Sequence, residues 1–113
     1  ATLIGADAST SATITNNNSI ALRLGAEDTG AIVDQLSWNP AAQSLKEGTE
    51  AEDPDDGGSL ERKAYSSSDA TSMGSGGADE AKGNGYDSNS NSTDFYLRTT
   101  SQAQNSSSPT EIP

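Results

Sequence analysis

Apolar residues in this chain gather in short runs that alternate with polar residues. In residues 19–24, the side chains of Ile20, Leu22 and Leu24 fall on one face of an extended chain. Residues 31–38 form the richest apolar run of the sequence. Alternation of this kind predicts β-strands, and the six residues between the runs, with glycine at each end, predict a hairpin.

Weaker patterns predict the remaining elements. Residues 12–15 favour a short strand that the asparagines at 16–18 would end in a turn. Residues 59–65 predict a strand anchored by Leu60, and Asp69 is suited to cap a single helical turn.

A last strand is predicted over residues 94–99. Its alternation places Phe95 and Leu97 inward, and Tyr96 and Arg98 outward. Long polar loops separate the later elements, and the chain shows no repeat of fixed period.

This pattern divides the chain into three parts. Residues 1–18 are expected to be an extension or a partial strand, residues 19–100 a β-domain, and residues 101–113 a polar tail. Within the domain, residues 47–56 carry six carboxylates and no cation. Such a run is typical of a solvated loop or a disordered insert, although clustered carboxylates also suit a hard cation.

The apolar content is small for a folded domain. Leu, Ile, Val and Phe contribute 14 of 113 residues, about 12%, against the roughly 20% below which highly charged chains stay disordered. Burying all of them would not offset about 1.5 kcal/mol of conformational entropy per ordered residue. Either the chain is largely disordered, or a β-domain with too small a core is completed by a partner.

Charge and missing residue types exclude several functions. Seventeen acidic residues against six basic ones disfavour nucleic acid and anionic membrane surfaces. No run approaches the length of a membrane span. Without histidine or cysteine there is no Ser-His-Asp triad and no thiol chemistry, and no spacing selects a pair of catalytic carboxylates. We therefore expect a protein that is not an enzyme.

Three stretches resemble the bacterial lamin-tail domain, which is an immunoglobulin-like β-sandwich. The first is the hairpin pair at 19–24 and 32–38, and the second is the Gly-Gly-Ser-Leu-Glu-Arg-Lys stretch at 57–63. The third runs from Gly85-Tyr86-Asp87 through residue 91 and Asp94-Phe95 into residues 100–109. The resemblance implies an all-β, immunoglobulin-like sandwich from a secreted or cell-surface bacterial protein.

The departure from that family is as informative as the match. The family usually opens with an Ile-Asn-Glu-like strand, a Trp-Ile-Glu-Leu-like strand and a Gly-Trp turn, which this sequence lacks. The missing strands are then either on another polypeptide or on a longer version of this one. In the first case the sandwich would be completed by a strand from a partner chain or a like subunit, giving a structural or adhesive module and, if the contact does not close, a filament.

A binding module of a larger secreted enzyme is the alternative, with calcium or carbohydrate as its ligand. Asp87, Asn89, Asn91 and Asp94 place oxygen side chains as at the start of an EF-hand loop. The glycine and the final glutamate of that loop are absent, Arg98 standing at the glutamate position. An Asx-rich turn leading into the last strand is the plainer interpretation.

Two further features have a functional and a structural interpretation. Trp38 with Tyr65, Tyr86 and Tyr96 could form a platform for a sugar ring, and Tyr96 is the better surface candidate. A tryptophan at a strand end is nevertheless typical of a core anchor. Asp34, within a predicted strand, could be a ligand or an acid, or could accept backbone donors at an edge.

Overall fold

The computed structural model describes residues 11, 13–39 and 45–113, and within them the chain is β-rich. Its elements are β1 (Asn18–Leu24), β2 (Ala31–Trp38), β3 (Ser59–Arg62), a one-turn helix α1 (Asn91–Asp94) and β4 (Phe95–Arg98). They form two separate two-stranded antiparallel sheets, β1-β2 and β3-β4.

The predicted hairpin is confirmed. β1 and β2 pair from Asn18 opposite Trp38 to Leu24 opposite Ala31. The register shifts after Leu22, because Val33 of β2 has no opposite residue, as in a β-bulge. The strand ends at Trp38, followed by Asn39 in the left-handed region at φ 57°; Pro40, expected to help end it, lies outside the described residues.

The second sheet joins segments that are far apart in sequence. Leu60 lies opposite Leu97 and Arg62 opposite Phe95. β3 is shorter than predicted and ends at Arg62, although the Lys63 amide still donates to the carbonyl of Asp94 in the same register. Asp94 itself belongs to α1 and not to the last strand.

The predicted helical turn at Asp69 is also present. Its carboxylate accepts the amides of Thr71 and Ser72, and its carbonyl accepts the amide of Met73. These bonds lower the pKa of Asp69, because they favour its charged form. The turn buries Met73, which is 2% exposed.

Few apolar side chains are fully buried in the part of the chain that the structure describes. They are Trp38, Ala51, Ala64 and Met73. Polar residues share this interior, and Ser37, Asn91 and Asp94 are each 0% exposed. The small core inferred from composition is therefore supplemented by buried hydrogen bonds.

The acidic run is not solvated throughout. Ala51 forms a parallel bridge with Trp38 and is 3% exposed. The carbonyls of Glu47 and Thr49 accept the amides of Asn91 and Ser92. A loop was expected and is found, but the expectation that water surrounds it fails at these contacts.

The segments before β1 and after β4 both contact the rest of the chain. Residues 13–15 form no strand, and the Thr15 carbonyl accepts the indole N–H of Trp38 at 3.1 Å; residues 1–10 and 12 lie outside the described residues. The polar tail lies over the surface, where Ile112 bridges to Lys82.

Candidate functional site

The apolar face of β1 is largely uncovered. Ile20, Leu22 and Leu24 are 51%, 64% and 74% exposed. The residues between them, Ala21 and Arg23, are more buried than these three. The regular alternation of the strand is as expected, but its aliphatic side faces outward within the described structure, which is unfavourable for a solvated sheet.

This face forms one wall of a groove of about 200 Å³. Ile20 and Leu22 of β1 and Leu36 of β2 provide apolar lining on one side. Phe95 and Arg62, which lie opposite one another in the second sheet, line the other side. The groove therefore runs between the two sheets.

Among the described residues no second strand pairs with the outer edge of β1, although the Ser19 amide donates to the side chain of Asn18 at 2.8 Å. Each strand of an antiparallel pair presents alternate backbone groups to its neighbour and the others outward. No backbone partner other than β2 bonds residues 18–24 among the residues described. An open backbone edge thus borders an apolar groove, which is the arrangement that an added strand requires.

Arg62 connects the two sheets. Its Nη2 donates to both carboxylate oxygens of Asp34 at 2.6 Å, and its Nη1 donates to the carbonyl of Tyr86 at 3.0 Å. The guanidinium carbon lies 4.5 Å from the centre of the Phe95 ring. Asp34 is therefore the anchor of an inter-sheet ion pair, a role that the sequence did not indicate.

A cluster of carboxylates lies beside Arg62, at what we call the Arg62 end of the groove. One carboxylate oxygen from each of Glu47, Asp87 and Asp94 lies within 4.8 Å of the others. Asp87 also stands 3.9 Å from Nη1 of Arg62. Three carboxylates at this spacing are the donor type that Ca²⁺ prefers.

Glu47 is the least satisfied member of this cluster. Its Oε2 atom is buried and has no hydrogen-bond partner within the described residues. Burial, followed by the charges of Asp87 and Asp34, raises the pKa of Glu47, while Arg62 acts in the opposite direction. The negative charge of the cluster of Glu47, Asp87 and Asp94 is therefore not fully compensated.

The four residues predicted to bind calcium have separate roles. Asp87 and Asp94 come together, but the Asn91 amide is committed elsewhere: its Oδ1 accepts the amides of Ser37 and Glu47 at 3.0 and 3.2 Å. Its Nδ2 donates to a β2 carbonyl. Asn89 is exposed, at φ 59°. The side chain that lies beside the two aspartates is that of Glu47, and not that of either asparagine.

Asp94 serves mainly to close its own loop. Its carboxylate accepts the amide and hydroxyl of Ser88 at 3.0 and 2.6 Å and the amide of Ser90 at 3.0 Å. This is the Asx-rich turn expected from the sequence. A cation would have to share an oxygen that already accepts hydrogen bonds.

The four aromatic residues considered for sugar binding differ in exposure. Tyr65 is 43% exposed and Tyr86 is half-buried, whereas Trp38 and Tyr96 are not exposed platforms. Trp38 is 7% exposed, which confirms its interpretation as a core anchor. Tyr96 was predicted to point outward, but its hydroxyl donates to Glu61 at 2.8 Å and accepts from Arg98 at 2.8 Å. Burial and the neighbouring Glu61 raise the pKa of Tyr96 to about 12.

Arg98 explains why the face of β4 that carries Tyr96, predicted to point outward, is covered. Its guanidinium bonds Glu61, the carbonyl of Met73 and the side chain of Gln102. The capped turn and the start of the tail are thereby drawn over the β3-β4 sheet. The sequence predicted the turn, but it carried no signal of where the turn would pack.

Comparison with known proteins adds no further constraint on the site. No family model, curated protein or solved structure matches the chain. Among the described residues, no helix has the length and apolar character needed to cross a membrane.

Proposed function

We propose that this chain is a non-catalytic structural or adhesive module of the cell surface or extracellular space that accepts a β-strand from another polypeptide. In this proposal the two sheets belong to an incomplete, immunoglobulin-like sandwich of the lamin-tail type, and the added strand completes it. The uncovered aliphatic face of β1 is the single observation that carries the proposal. The edge of β1, with which no described strand other than β2 pairs, supports the same conclusion.

The exposed aliphatic side chains of β1 supply part of the free energy that strand addition needs. Covering the exposed parts of Ile20, Leu22 and Leu24 is worth about 3–6 kcal/mol at 1.5–3 kcal/mol for each fully buried side chain. Association costs about 4–15 kcal/mol in lost freedom, so aliphatic burial alone is insufficient. The backbone ladder along the seven residues of β1 must supply the remainder.

The source of the strand determines the assembly. A strand from a like subunit gives a head-to-tail contact, which continues into a filament unless the rotation closes a ring. A strand from a different protein gives a complex of limited size. Both follow from the same incomplete sheet, and they differ in whether the chain associates alone.

The proposal is tested by light scattering after size-exclusion chromatography over a roughly hundredfold dilution range, with far-UV circular dichroism on each fraction. We expect the isolated monomer to unfold cooperatively but with low stability, since a two-stranded sheet is marginal by itself. Oligomers that lose β-signal on dissociation identify a like subunit as the donor. A monomer whose free energy of unfolding reaches the roughly 5–15 kcal/mol of an ordinary domain at every dilution contradicts the proposal.

A second candidate function is calcium binding at Glu47, Asp87 and Asp94. The buried, unpartnered Oε2 of Glu47 favours it, because a cation would satisfy that atom and offset the repulsion around it. Calcium should then raise the melting temperature of the native chain but not that of Glu47→Gln. Glu52→Gln removes an equal charge from an exposed position outside the cluster and should retain the response.

A further inference from the structure

The chemistry of the groove also specifies its occupant. We propose that the added strand comes from a different, basic protein, and that it presents uncharged aliphatic side chains to the groove and lysine or arginine near the Arg62 end. This inference rests on the strand addition proposed above and names the partner of that site.

The interior of the groove selects uncharged side chains. Ile20, Leu22, Leu36 and Phe95 provide its apolar lining. The charged groups that line it, Asp34 and Arg62, are bonded to each other at 2.6 Å. An inward-pointing carboxylate on the added strand would therefore be desolvated without a free partner, because the unpaired atom in the lining, Oε1 of Gln35, is an acceptor.

The end of the groove selects a cation. Asp34 and Asp87 both approach Arg62, at 2.6 and 3.9 Å. Asp87 in turn belongs to the cluster with Glu47 and Asp94. Two carboxylates thus stand beside one guanidinium and two more lie within 4.8 Å of Asp87, so the resulting field favours basic residues on whatever strand lies alongside.

A second copy of this chain fits this requirement poorly. Each copy carries a net charge of −11, so two copies repel over the whole surface. The cation on β1 is Arg23, and its guanidinium already donates to the carbonyl of Gly30 at 2.8 Å. A copy of β1 would bring aliphatic side chains but no uncommitted cation.

The test uses three peptides of the length of β1 that carry valine at alternate positions. The intervening positions hold lysine in one peptide, threonine in the second and glutamate in the third. Binding to the intact chain is measured by titration calorimetry at low and at high ionic strength. The threonine peptide reports strand addition itself, while the comparison of lysine with glutamate reports the charge preference.

We expect the lysine peptide to bind roughly threefold to tenfold tighter than the threonine peptide, and the glutamate peptide to bind weakest. High salt should bring the three affinities together, because it screens exposed charges. Equal binding of the lysine and glutamate peptides would overturn the basic partner and leave strand addition standing. If none of the three binds, strand addition and this inference both fail.

A pair of isosteric variants locates the preference. Asp87→Asn removes one charge beside Arg62, yet keeps an oxygen that can accept the Asn89 amide. It should lower the affinity of the lysine peptide and leave that of the threonine peptide unchanged. Asp56→Asn removes an equal charge from an exposed position in the loop before β3 and should change neither. Equal effects of the two variants would overturn the assignment of the cation to the Arg62 end.

Discussion

Replacement of Asn91 by alanine should destabilise this chain more than its place in a polar loop suggests. The side chain is 0% exposed and bonds three backbone groups: the amides of Ser37 and Glu47, and the carbonyl of Gln35 at 2.9 Å. These bonds connect α1 to β2 across more than fifty residues of sequence. The truncation removes all of them at once.

The magnitude follows from the burial of each group. Ser37 is 0% exposed, so its unpaired amide should cost about 1–3 kcal/mol. Glu47 and Gln35 are only half-buried, so water can partly replace their lost bonds at about 0.5–1.5 kcal/mol each. Asn91→Ala should therefore lower the free energy of unfolding by about 2–6 kcal/mol, against roughly 5–15 kcal/mol for a whole domain.

Urea unfolding followed by circular dichroism measures this difference, provided that the slope with denaturant is unchanged. Asn89→Gly is the matched control, because Asn89 lies in the same loop, is exposed, and has a φ of 59° that glycine adopts freely. We expect the control to stay within about 0.5 kcal/mol of the native chain. A loss below about 1 kcal/mol for Asn91→Ala would contradict the role assigned to this side chain, since the Ser37 amide would then have found another partner.

Three further predictions concern the groove and the titrating groups. Leu22→Thr should change the stability of the isolated monomer by less than about 0.5 kcal/mol, because Leu22 is 64% exposed, yet it should abolish binding of the threonine peptide in calorimetry. Tyr96 should titrate near pH 12. The stability that its raised pKa contributes is complete below pH 10 and should be lost as the pH rises towards 12. Comparison with Tyr96→Phe isolates the absorbance change of this tyrosine. The raised pKa of Glu47 contributes stability that is complete below its ordinary value of 4.5 and is lost above it, so Glu47→Gln should melt higher than the native chain at neutral pH.

Each of these three predictions would be contradicted by a specific result. Undiminished peptide binding by Leu22→Thr would place the added strand away from β1. Ionisation of Tyr96 near pH 10 would mean that its contacts with Glu61 and the covering turn are not maintained in solution. A melting temperature for Glu47→Gln below that of the native chain at neutral pH would show that its carboxylate is already compensated.

Local patterns in the sequence were sufficient to predict the hairpin. The aliphatic alternation of Ile20, Leu22 and Leu24 locates β1, and the glycines on either side of the connecting loop locate the turn. Alternation specifies which side chains share a face, but it does not specify what that face meets. The exposure of this face depends on how far the second sheet extends over it, which is a long-range property.

The candidate site was less predictable for the same reason. Asn91 and Asp94 belong to a run of Asp, Asn, Ser and Thr in which every residue looks equally suited to a solvated turn. Only the distant partners distinguish them, since Asn91 bonds residues more than forty positions earlier in the chain. Glu47 was hidden in the same way within a run of six carboxylates.

The two sheets also differ in how quickly they can form. Six residues connect β1 to β2, whereas thirty-two separate β3 from β4. Closing the longer connection costs about 1.5 kcal/mol more chain entropy, and hairpins form in about 1–10 μs. During synthesis the hairpin is complete, with its aliphatic face bare, before the residues that form the opposite wall of the groove have been added. The acidic residues that precede β3 are made in that interval, and their like charge opposes association of the bare hairpin with another copy.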